Sequence, residues 1–173
     1  EVVKAYLNGL KTRMSEGKPL HHVNSVASFF LSRIDVLLDP ILESKIKNGG
    51  TNAPVAAGLH GQVAIASARI AYKIFKEIFS QDTFLELANE GARPQRLLWA
   101  STSTKNPRYS DVKYVEALIG PNTVNTIPME TLNAYRDHGI PEARLEDNVE
   151  NAQKVLDELP EVGIDLNEST QKL

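Results

Sequence analysis

The chain has 173 residues, enough for one domain with a core of its own. Its formal charge of −3 offers no basic field for nucleic acid, and the absence of cysteine removes disulfides, thiolate metal sites and a thiol nucleophile. Lack of cysteine fits a reducing compartment, and no stretch reaches the ~20 apolar residues of a membrane span.

The opening EVVKAYLNGLKTRM is charged and amphipathic, with no small-residue cleavage site, so it is not a signal peptide. Val2, Val3, Ala5, Tyr6, Leu10 and Met14 set a helical stripe over 1–17, which Gly17 and Pro19 stop. Residues 22–31, HVNSVASFFL, are β-branched and aromatic and read as a strand. A helix from about Asp35 to Lys47 follows, and Asn48-Gly49-Gly50 breaks it. Val63, Ala66, Ile70, Ile74 and Ile78 predict one long helix over 57–80, and Asp82 can cap a short helix over 83–89. Residues 95–102, QRLLWAST, have the short continuous apolar centre of a strand covered on both faces. Ser110 can cap a helix over 111–118, and TVNTI, 123–127, is the third strand candidate. Pro128 suits the first position of a helix running to His138, and Asp147 opens a last helix over 148–158.

Strands alternating with helices imply a parallel sheet with right-handed crossovers. Three strands cannot close a β/α barrel, which takes eight strands and ~250 residues, so two sheet edges are expected to be unpaired. The chain starts without an initiator Met and in mid-helix pattern, and STQKL ends like the first turn of a helix. Both ends read as cut points within a longer protein.

Each strand turns polar at its carboxyl end: Ser28 then Ser32-Arg33, next Ser101 through Asn106, next Asn125-Thr126. Active sites of β/α barrels and open α/β sheets lie at that end. An Arg, a Lys and several hydroxyls there suit an anionic, hydroxyl-rich ligand such as a sugar phosphate. The plainer alternatives are a surface pair of Arg33 with Asp35 or Asp39, and a core hydroxyl at Ser28 bonded to backbone. Lys105 ends a run of four hydroxyl residues just before Asn106-Pro107. It could be a Schiff-base amine, a phosphate anchor or a solvated loop lysine. Its place beyond the apolar centre of the strand favours a protonated ammonium, a poor nucleophile and a good phosphate contact. His21, His22, His60 and His138 offer no metal set at ligand spacing. The carboxylates read as helix surface charge, with none at a strand end where a general acid or base is wanted.

The stretches VNSVASFFLSRID, GARPQRLLWASTSTKNPRYSDVKYVEALIGPNTVNTIPMETLNAYRDHG and VLDELPEVGIDLN resemble the carboxyl-terminal half of a bacterial transaldolase. The resemblance is to the longer-chain type, including forms fused to glucose-6-phosphate isomerase, and covers nearly the whole chain. It implies the last three strands, sixth to eighth, of an incomplete (β/α)8 TIM barrel, with residues 1–173 as part of one such domain. It implies a cytoplasmic enzyme of the pentose phosphate pathway. That enzyme moves a dihydroxyacetone unit between sugar phosphates through a lysine Schiff base, without cofactor or metal.

In the family that lysine lies in an IK-[IV]-PAT motif, which this chain lacks, so no catalytic residue is expected here. The family's serine, phenylalanine and arginine of the sixth strand match Ser28, Phe30 and Arg33. The resemblance makes Ser28 and Arg33 phosphate contacts and Phe30 a pocket wall. Ser101, Thr102, Lys105 and Asn106 are expected as flanking contacts. Expected partners are sugar phosphates, not nucleic acid or membrane, with self-association through open barrel edges. Two other readings stay open: aldolase chemistry with the amine at Lys105, and a non-catalytic α/β module that binds sugar phosphate or recruits a partner.

Overall fold

The computed structural model describes residues 1–171. Strands β1 (Val26–Phe30), β2 (Arg96–Ala100) and β3 (Thr123–Asn125) form a parallel sheet in that order. Parallel neighbours need crossovers of a dozen or more residues. Four helices supply the first: α2 (Leu31–Asn48), α3 (Ala53–Leu59), α4 (Val63–Phe79) and α5 (Asp82–Asn89). One supplies the second, α6 (Lys113–Ala117). Helix α1 (Val2–Ser15) precedes the sheet. After it come α7 (Met129–His138), α8 (Val149–Asp157), a 3-10 turn (Leu159–Val162) and α9 (Leu166–Thr170). The architecture is α/β and consistent with part of a β/α barrel.

Register decides which side chains share a face. Ser28 stands beside Leu98, and Leu98 beside Val124; Phe29 stands beside Trp99. Successive residues point to opposite faces. Ala27, Phe29, Leu97 and Trp99 therefore face the helical layer, where they join Leu38, Leu42, Val63, Ala68 and Val155 in the main core. Trp99 is its largest wholly buried member and meets Phe29 edge to face at 6.0 Å. A second, smaller core of Leu10, Leu20, Phe84 and Leu87 fastens α1 to α5. On the opposite sheet face, Val26 and Phe30 are exposed at 40% and 42%, which leaves apolar surface of a parallel sheet uncovered. Among the described residues β1 and β3 each have one unpaired edge.

Several elements differ from the sequence expectation. Strand β1 is shorter, because residues 22–25 are turn and coil. Helix α2 starts at Leu31, four residues early, and Ser32 and Arg33 belong to its first turn and not to an exit loop. The expected helix over 57–80 is two helices, split at Gly61, whose φ of +70° suits glycine. Strand β3 ends at Asn125, and Thr126 instead donates its N–H to the Trp99 carbonyl at 3.0 Å. Asn148, at φ +50°, is the residue that enters α8, in place of Asp147. Of the segment STQKL read as the start of a helix, Ser169 and Thr170 are instead the last residues of α9; Lys172 and Leu173 lie outside the described residues. No described helix is long and apolar enough to cross a membrane.

Candidate functional site

The direct run of β1 into α2 builds the site. Phe30 closes the strand in extended backbone and is also the residue that enters the helix. Arg33, three residues on, folds back so that its guanidinium carbon lies 4.3 Å from the centre of the Phe30 ring. Such stacking orients the cation without neutralising it. Ser28 is exposed on the same strand face as Phe30. Ser28, Phe30 and Arg33 line one cavity of about 530 Å3, bounded also by Ser67, Ile70 and Ile74 of α4 and by Asn167 of α9. Arg33 forms no ion pair with Asp35 or Asp39, contrary to the plainer surface alternative; both carboxylates are buried and bonded elsewhere. The Ser67 hydroxyl is buried without a hydrogen-bond partner among the described residues. Polar character is confined to a few groups, and the rest of the lining is apolar.

The residues after β2 take separate places. Ser101 adopts φ +53°, uncommon for a side-chain-bearing residue, and its carbonyl accepts the Ser32 N–H at 3.1 Å. That bond ties the carboxyl end of β2 to the first turn of α2. Thr102 is wholly buried, its hydroxyl donating to the Thr126 carbonyl at 3.2 Å, so it latches β2 to β3. Lys105 is exposed and donates to the Ser103 hydroxyl at 2.8 Å. Lys105 and Asn106 line a different cavity, of about 260 Å3, with Asp35, Asp39 and Tyr109. The structure thus brings Ser28, Phe30 and Arg33 together, while Lys105 and Asn106 line a separate cavity beside α2, Ser101 ties β2 to the first turn of α2, and Thr102 is buried toward β3. Among the described residues no three His, Asp or Glu side chains gather as a metal set.

A family profile described as Transaldolase/Fructose-6-phosphate aldolase matches residues 1–173. The chain belongs to the transaldolase/fructose-6-phosphate aldolase family. It is 47% identical to a transaldolase of Trichodesmium erythraeum over 98% of its own length and 46% of that protein. It is 48% identical to transaldolase 2 of a Nostoc species, over 94% of the chain and 44% of the relative. A transaldolase of Saccharopolyspora erythraea is 45% identical, over 97% and 44%. The chain spans less than half the length of these transaldolases.

Sequence reasoning missed one group in this family member. Asp35 and Asp39 read as surface charge, yet they are 2% and 7% exposed. Asp35 accepts from Lys113 at 2.9 Å, the Tyr114 hydroxyl at 2.7 Å and the Ala64 N–H at 3.0 Å. Asp39 accepts the Tyr109 hydroxyl at 2.6 Å and the Gly61 N–H at 2.9 Å. Burial, then the neighbouring carboxylates, push both tyrosine hydroxyls far above their usual range, so they stay protonated donors. The available signal was the spacing of Asp35, Asp39 and Glu43, every fourth residue along one helix, although surface acids show the same spacing.

Proposed function

We propose that this chain forms the carboxyl-terminal part of one (β/α)8 transaldolase domain, with β1, β2 and β3 as its sixth, seventh and eighth strands. Ser28 and Arg33 hold the phosphate of a sugar phosphate, and Phe30 shapes the pocket and steadies Arg33. The observation that carries this reading is that Ser28, Phe30 and Arg33 surround one cavity at the carboxyl end of β1, in a chain matched throughout by the family profile. A guanidinium presents a planar fork to phosphate oxygens, and the serine hydroxyl adds a donor. The apolar part of that lining, Phe29, Ile34, Ile70, Ile74 and Leu156, suits the packing of further polypeptide, which leaves the phosphate to the polar side formed by Ser28 and Arg33. The greater length of the relatives fits that packing.

In this reading the complete enzyme is a cytoplasmic transferase of the pentose phosphate pathway. It converts sedoheptulose 7-phosphate and glyceraldehyde 3-phosphate to erythrose 4-phosphate and fructose 6-phosphate. The amine that attacks the ketose carbonyl belongs to a part of the domain outside these 173 residues, which contain no IK-[IV]-PAT stretch. Lys105 is exposed beside Ser103, and a solvated ammonium is a poor nucleophile. The chain alone is therefore inactive. Incubation with fructose 6-phosphate and borohydride, followed by mass spectrometry, tests this: no adduct is expected. An adduct that disappears in Lys105→Ala would place the chemistry on Lys105 and overturn the reading.

A further inference from the structure

The uncovered face of the sheet is built in rows across the strands. Val26 pairs with Arg96, Ser28 with Leu98 and Phe30 with Ala100. Paired residues of parallel strands share a face, and the next residue along points to the other. Leu97 and Trp99 belong to the main core, so Arg96 stands with Val26 on the uncovered face. Of these three rows only the one at the amino end carries a charge. Arg96 lines a cavity of about 450 Å3 there, shared with Asn24, Arg93 and Asn122 and with no acidic residue. It has no residue in common with the cavity of Ser28 and Arg33. Arg93 is tied down: its guanidinium donates to Asn24 Oδ1 at 3.0 Å, and its carbonyl accepts the Tyr6 hydroxyl at 2.7 Å. The Arg96 guanidinium is exposed and in no ion pair among the described residues.

Water solvates such a cation while the face stays open. Closure changes that. The inside of a β/α barrel is a packed core, and a charge enclosed there is strongly unfavourable unless it is paired. No acid of this cavity supplies the pair, and the relatives are more than twice as long as this chain, so further polypeptide is at hand to do so. We propose that Arg96 is a docking point for the rest of the domain: the strands that close over this face bring an Asp or Glu carboxylate to it at the amino end of the barrel. This inference rests on the reading of the chain as part of one β/α barrel. A carboxylate matches the planar fork of a guanidinium. It also fixes the register of the closing strand, because a slip of one residue would turn it to the outer face. The contact serves closure and not chemistry, which belongs to the opposite, carboxyl end of the strands.

The test joins the part of the Trichodesmium erythraeum transaldolase that this chain does not match to the amino end of the 173 residues, in the order the reading requires. Urea unfolding then compares Arg96→Gln in this fusion and in the chain alone. In the fusion the folded-to-unfolded ratio at about pH 7 is expected to fall about hundredfold, because the partner carboxylate is left buried and unpaired. In the chain alone it is expected to fall less than about threefold, as at an ordinary surface position. A carboxylate held ionised by Arg96 contributes stability above about pH 4 that is lost as pH falls, so the deficit in the fusion should shrink from about pH 7 to about pH 4. Should Arg96→Gln leave the fusion unfolded, a folded Arg96→Lys fusion supports the pair and an unfolded one overturns it. Equal deficits in fusion and chain, or a deficit in the fusion that does not change with pH, overturn the inference, while a wild-type fusion with transaldolase activity keeps the barrel reading intact. A wild-type fusion that neither folds nor acts overturns the barrel reading, and the docking point with it.

Discussion

Arg33 lies with its guanidinium 4.3 Å from the centre of the Phe30 ring, across the boundary where β1 becomes α2. The strand residue supplies a flat apolar face and the helix residue a planar cation, and no loop intervenes to let them drift apart. Phe30→Leu removes the ring and leaves Arg33 free to sample other rotamers. Phosphate affinity is expected to fall about threefold, in line with the modest strength of an exposed cation–π contact. Titration of inorganic phosphate against the variant checks this, and unchanged affinity would show that the ring does not orient the cation.

Asp35 is the most deeply buried carboxylate of α2, bonded to Lys113, Tyr114 and a backbone N–H. Removing its charge leaves Lys113, only 15% exposed, without a counter-ion. Asp35→Asn is expected to destabilise the fold by about 3 kcal/mol, the usual result of breaking one side of a buried pair. Urea unfolding with fluorescence from Trp99 measures it; a loss under about 0.5 kcal/mol would mean the pair is merely tolerated. Trp99→Ala, which removes the sole tryptophan, is expected to cost about 3–5 kcal/mol through the cavity it leaves, read by urea unfolding followed by circular dichroism.

His138 links α7 to the segment just before α6. Its Nε2 lies 2.9 Å from Asp111 and its Nδ1 3.2 Å from Asp137. Hydrogen bonds to those carboxylates raise its pKa above the usual histidine value. A raised pKa in the folded state means a contribution fully present below about pH 6.5, the unfolded value, and lost as pH rises through the folded pKa. Melting of His138→Gln against wild type should therefore show a larger deficit at about pH 6 than at about pH 8. An equal deficit at both would place the effect in packing.

The sheet has an uncovered apolar face and two unpaired edges among the described residues. Parallel sheets are ordinarily covered on both faces, and open edges pair readily. The isolated chain is expected to self-associate through β1, and Val26→Lys with Phe30→Lys to reduce that association. Light scattering across a concentration series decides; a monomer at all concentrations would refute it.

The sequence revealed the strand centres because Val26–Leu31 and Leu97–Ala100 carry their own apolar signal between the polar flanks Ser25 and Ser32, and Arg96 and Ser101. It could not reveal that α2 begins at Leu31, since Ser32-Arg33 is as compatible with a loop as with a first helical turn. The break at Gly61 was hidden because its cause is tertiary: its N–H is bound by Asp39 and Tyr109 occupies its space. Asp35 and Asp39 looked like surface charge because the side chains that bury them stand about 70 residues or more away in sequence, at Tyr109, Lys113 and Tyr114. Ser28 and Arg33 stood out as polar residues at a strand end, and resemblance to a family motif made them phosphate contacts. The structure adds that they share a cavity with Ser67, a buried hydroxyl on α4 that no motif marked.

Titration of the chain with inorganic phosphate, followed by amide chemical shifts in wild type and Arg33→Ala, tests the central claim most directly. Saturable shifts are expected around Ser28 and Arg33, at the carboxyl end of β1, and about a tenfold loss of affinity in the variant, the worth of one charge-assisted contact at a partly exposed site. Shifts located elsewhere, or affinity that survives Arg33→Ala unchanged, would contradict it.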